Sequence, residues 1–107
     1  MYIVFSTTPV GQAQPIANEL VRDKLAACVQ IIPQIQSVYE WKGEVCNDQE
    51  SLLLIKTSEP RVMECIERLK SLHPYEVPEI VSLNADESTS LPEYLQWVRN
   101  VTGHADP

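Results

Sequence analysis

The residues His73-Pro74-Tyr75-Glu76-Val77-Pro78-Glu79 gather an imidazole, a phenol and two carboxylates on a backbone stiffened by two prolines. Each proline fixes its own φ near about −65° and pushes the residue before it towards extended conformations. His73 and Val77 are therefore held out of the helical basin, which suits the wall of a binding site and equally suits a plain helix-to-strand connection. With Cys28, Cys46 and Cys65 the chain also offers thiolate donors. The absence of a CxxC, an HxxxH or a closed set of four ligands argues against structural zinc. Copper could use one Cys and one His together. Each candidate also has an ordinary reading. Cys65 falls on a helix face and Cys28 in a strand, where free cysteine is normally buried. Cys46, near a hairpin turn, is the one expected to be exposed. His73 could lie over a helix C-terminus, where a cation is favoured, and His104 sits in a terminal tail.

Catalytic signals are weaker. There is no G-x-S-x-G, P-loop or G-x-G-x-x-G, and the chain has only 3 glycines. A nucleophile pair of Cys28 and His73 has no geometric support from sequence alone, so no enzymatic activity is expected. An acylphosphatase-like phosphate cradle would need an arginine beside Gly11, and none is there. The 15 acidic and 8 basic residues give a net charge of −7, and the cations are scattered. A nucleic-acid backbone would be repelled, and neither central strand carries the aromatic pattern of an RNA-recognition sheet.

At 107 residues and 44% hydrophobic content the chain matches one domain, residues 1–107, around one core. No apolar run approaches the ~20 residues that span a bilayer. The odd cysteine count and the lack of a secretory pattern at Met1–Ser6 point to the reducing cytoplasm. Tyr2–Ser6 reads as a central strand covered on both faces. Gly11–Leu25 has helical periodicity, with Pro15 acceptable in the first turn. Residues 26–41 are extended, interrupted at Pro33. Lys42-Gly43 is a turn, Glu44-Val45-Cys46 returns, Asn47-Asp48 is a second turn, and Glu50–Thr57 is a buried strand. Ser58 caps a helix whose apolar face is Val62, Cys65, Ile66, Leu69 and Leu72. Ile80–Leu83 is a short strand. Ser90-Leu91-Pro92-Glu93 is a capping box opening a last helix, with Tyr94, Trp97, Val98 and Val101 as its apolar face. The order predicts an α+β, ferredoxin-like split βαβ sandwich with a long β-hairpin and an extra C-terminal helix. A long hairpin bearing Tyr39 and Trp41 is hard to cover within one chain, and such an edge invites pairing with another copy.

Leu25-Ala26-Ala27-Cys28-Val29, Ser37-Val38-Tyr39-Glu40-Trp41-Lys42-Gly43, Leu54-Ile55-Lys56-Thr57, His73 to Ile80 and Tyr94-Leu95-Gln96-Trp97 resemble, in order, the CutA family of divalent-cation tolerance proteins. The resemblance implies a homotrimer built like the PII signalling proteins, in which the hairpin reaches a neighbouring subunit. It implies a role in tolerance of copper or similar divalent cations, weakly bound, with no organic cofactor. Carried over residue by residue, it marks His73 and Cys28 as metal-ligand positions. It associates Tyr39, Trp41, Lys56, Tyr75 and Glu79 with clefts between subunits. The early first helix departs from the family, with Gly11-Gln12-Ala13-Gln14-Pro15 where acidic residues are usual. A rival expectation is a PII-like module holding a small anionic ligand in the intersubunit cleft, on Lys56 between walls of Tyr39, Trp41 and Tyr75. No feature of the sequence names a protein partner.

Overall fold

A computed structural model describes residues 1–103, so His104 lies outside the described residues. The elements are β1 (Tyr2–Pro9), α1 (Ala13–Arg22), β2 (Cys28–Trp41), β3 (Glu44–Thr57), α2 (Val62–Leu72), β4 (Ile80–Asn84) and α3 (Pro92–Thr102). Single 3-10 turns at Glu59–Arg61 and Glu87–Thr89 lead towards the last two helices. The four strands form one antiparallel sheet in the order β2-β3-β1-β4, the split βαβ order expected, with α3 added.

Strand register decides which side chains meet the helices. Val4 stands opposite Ile55, which stands opposite Val29, and Ser6, Leu53 and Ile31 form the next row. These rows face α1 and α2, where Ile16, Leu20, Cys65 and Leu69 complete the core. Burying one such aliphatic side chain is worth about 1.5–3 kcal/mol, so this face holds the chain's fold together. The other face carries Ile3, Phe5, Leu52 and Leu54 half-buried, with Ile32, Val81 and Leu83 exposed. The expectation that the central strands are covered on both faces is therefore corrected: α1 and α2 pack on the same side, and the opposite apolar face stays open.

Several ends are set by local chemistry. After α1, Lys24 takes a positive φ of 59°. Its N–H donates to the Val21 carbonyl and that of Leu25 to the Leu20 carbonyl, which closes the helix as a Schellman motif with lysine at the usual glycine position. Pro33 does interrupt β2, with the ladder irregular between Ile32 and Ile35. Lys42 and Gly43 have φ of 51° and 81°, the left-handed pair that a two-residue hairpin needs.

Three local expectations are corrected. Asn47-Asp48 is not a turn but part of an unbroken β3, because Asn47 Oδ1 accepts from Gln36 across the ladder and Asp48 from Tyr39. Neither Ser58 nor Ser90 caps a helix: Ser58 Oγ accepts from Thr102 Oγ1 at 2.7 Å, and Ser90 Oγ donates to the Asp86 carbonyl at 2.7 Å. The inner face of α3 is Leu95, Val98 and Thr102, while Tyr94 and Trp97 pair on its more exposed side, ring centroids 5.6 Å apart.

Candidate functional site

Pro74 stops α2, and β4 pairs with β1 only as far as Ile80 opposite Ser6. Beyond that point the 73–79 segment takes over the sheet edge. His73, 8% exposed, sets Nε2 against the Thr7 carbonyl at 2.7 Å, while its Nδ1 accepts the Tyr75 N–H at 3.1 Å. A backbone N–H can only donate and a carbonyl can only accept. The two contacts together therefore fix the neutral ring with its proton on Nε2. Both nitrogens are spent on backbone, so His73 acts as a latch holding the segment to β1.

The latch aims Tyr75, whose hydroxyl donates to Glu50 Oε2 on β3 at 2.9 Å. Burial, reinforced by that carboxylate, pushes the Tyr75 phenol up to about 12. On the hairpin, Tyr39 donates to Asp48 Oδ2, and this hydrogen bond is the chief reason its phenol is also raised to about 12. Residues 44, 46, 48 and 50 of β3 share one face, opposite Trp41, Tyr39, Ser37 and Ile35 of β2. Strand alternation thus delivers aromatic rings and carboxylates to the same surface.

Between this surface and the 73–79 segment lies an open groove of about 580 Å³. Ser37, Val38, Tyr39, Trp41, Asp48 and Glu50 form one wall, with Thr7 beside them. Tyr75, Glu76, Val77 and Glu79 form the other. Four carboxylates and three aromatic rings line it, with no lysine or arginine among the lining residues. Of the residues marked from the sequence, Tyr39, Trp41, Tyr75 and Glu79 meet here. Asp48 and Glu50 were missed, because one was read as a turn and the other as a strand start. The period-two alternation on β3, set opposite Tyr39 and Trp41, is the signal that finds them.

Lys56 and Cys28 are elsewhere. They face each other at the far end of the sheet, where Lys56 Nζ donates to Gln30 Oε1. Two strand spacings and four residues separate Cys28 from Thr7, the residue that His73 holds, a span of roughly 15 Å. One chain therefore does not bring Cys28 and His73 to a shared ion, nor Lys56 to the groove. Among the described residues no three His, Cys, Asp or Glu side chains stand close enough to hold a metal ion. Cys65 is fully buried, and burial pushes its thiol up to about 12, as suits an inert core residue. Cys46 is half-buried rather than exposed.

Residues 2–101 match the family model described as CutA1 divalent ion tolerance protein. The chain is 49% identical over 102 residues to the divalent-cation tolerance protein CutA of Thermus thermophilus, covering 94% of this chain and 97% of that one. It is 48% identical over 90 residues to the human protein CutA, covering 84% of this chain and 49% of that protein. It thus spans about half the length of several animal and plant relatives. Its fold is similar to that of the PII-like protein CutA from Nostoc sp. PCC 7120 in apo form, with TM-score 0.91, 37% identity, and coverage of 95% and 97%.

Proposed function

The chain belongs to the CutA1 divalent ion tolerance family, and from that premise we propose that it is a non-enzymatic, homotrimeric cytoplasmic protein that takes copper or similar divalent cations weakly into the hairpin groove. The observation that carries this reading is the groove's lining, with four carboxylates and no cationic side chain. At an effective dielectric of 20, a unit charge 4 Å from a carboxylate gains or loses about 4 kcal/mol by its sign. A cation is drawn in and an anion is turned away. The rival reading, a small anion held on Lys56 in a cleft between subunits, is less favoured because within one chain Lys56 is paired with Gln30 at the other end of the sheet from the groove.

Oxygen donors suit hard divalent ions, and Cu²⁺ binds most tightly of the divalent first-row metals at a given donor set. A single chain does not gather three ligands, so water or a second copy completes the coordination shell, consistent with weak binding. The open apolar face supports self-association: Ile32, Val81 and Leu83 stand 42%, 51% and 52% exposed, and such patches mark interfaces. A non-enzymatic role is supported by His73, the one histidine among the described residues, being committed to backbone at both nitrogens. A reducing compartment is supported by three unpaired cysteines.

Calorimetric titration of the assembled protein with Cu(II) tests this. Asp48→Asn with Glu50→Gln is expected to weaken binding tenfold or more, about 1.4 kcal/mol, while Lys56→Ala leaves it nearly unchanged. Affinity unaltered by the groove substitutions and lost in Cys28→Ala would overturn the assignment.

A further inference from the structure

The groove, at about 580 Å³, has more room than one ion fills, and its three aromatic rings offer contacts that an ion alone does not use. We propose that it also takes an organic dication, an aliphatic diamine whose ammonium groups are separated by several methylenes. The proposal rests on the cation reading of the same groove and names a further class of occupant.

Three observations carry it. A metal such as Mg²⁺ or Ca²⁺ wants six or more oxygens at about 2.0–2.6 Å, yet no three acidic, His or Cys side chains converge among the described residues. Carboxylates spread over both walls of an approximately 580 Å³ space instead match a ligand that carries its charges apart, and that volume falls in the usual range of about 300–1,000 Å³ for small-molecule pockets. Next, Trp41, Tyr39 and Tyr75 are 53%, 42% and 38% exposed around this space. Their faces attract ammonium groups and offer methylenes apolar contact that a hydrated metal ion would not use. Finally, Glu50 is 7% exposed and lines the groove. Its one hydrogen bond among the described residues engages Oε2, and no lysine or arginine there pairs with it. A buried carboxylate without a counter-cation is costly, and an ammonium group with three N–H donors supplies both charge and hydrogen bond.

The test is calorimetric titration of the full-length assembled protein at low salt with 1,4-diaminobutane, with butylamine and Cu(II) run alongside. Proton NMR of the diamine is the second readout. The diamine is expected to bind at least tenfold tighter than butylamine, with its methylene resonances moved upfield by the aromatic rings. Glu50→Gln is expected to weaken it at least tenfold. Glu76→Gln, at an exposed position where folding is not at stake, is expected to weaken it severalfold. Cu(II) binding with no preference for diamine over butylamine would overturn the proposal and leave the cation reading standing. Failure of both Cu(II) and diamine to bind would overturn both. Diamine affinity unchanged in both variants would place it elsewhere and also overturn the proposal, as would a groove closed to diamine by a neighbouring copy.

Discussion

At the residue scale, His73 shows how the same side chain reads differently once its partners are known. Its type suggested a ligand, but a donor at Tyr75 and an acceptor at Thr7 make it a backbone substitute at the point where β4 stops pairing. The chemistry passes to the two phenols it and the hairpin position. Tyr39 and Tyr75 are both raised to about 12 in the folded state. A raised pKa means that the fold favours the protonated phenol. This contribution is full below the ordinary value near 10 and is lost as pH rises through about 12. Alkaline titration followed by tyrosinate absorbance and circular dichroism is therefore expected to show stability falling between about pH 10 and about 12. The Tyr39→Phe, Tyr75→Phe variant is expected to show a shallower fall in that window. An identical profile in the variant would contradict the assignment.

At the element scale, features set by spacing or by a fixed φ were legible, and those set by side-chain hydrogen-bond partners were not. The strand-helix order, the break at Pro33, the Lys42-Gly43 hairpin and the apolar face of α2 were all readable, because each rests on spacing or on a fixed φ. Asn47-Asp48 resembled a turn because short polar side chains favour one, but Gln36 and Tyr39 across the ladder satisfy those side chains in an extended strand. The serines before α2 and α3 were read as caps, but the Ser58 hydroxyl is taken up by a tertiary contact with Thr102 and that of Ser90 by the Asp86 carbonyl of the preceding turn. The misreading of Asn47-Asp48 hid Asp48 from the groove's hairpin wall, whereas Tyr39, Trp41, Tyr75 and Glu79 were found. The end of α1 gives a prediction of its own. Lys24 at φ 59° bears a left-handed cost of about 1 kcal/mol that glycine avoids. Lys24→Gly is expected to raise the unfolding free energy by up to that amount, read as a higher denaturant midpoint at unchanged slope, and a lowered midpoint would count against the Schellman reading.

At the scale of the whole molecule, the sheet has two unlike faces. One is sealed by α1 and α2 around Leu20, Leu53, Ile55 and Leu69, all fully buried. The other is open, apolar along its centre, with the acidic groove at one end and the Cys28–Lys56 pairing at the other. Self-association on that face would cover Val81 and Leu83. The most direct test is anomalous X-ray diffraction from crystals of the assembled protein grown with Cu(II). A copper peak is expected in the groove, with oxygen neighbours from Asp48 or Glu50 or from Glu76 or Glu79. A groove without copper, beside an ordered peak bound by Cys28 alone, would contradict it.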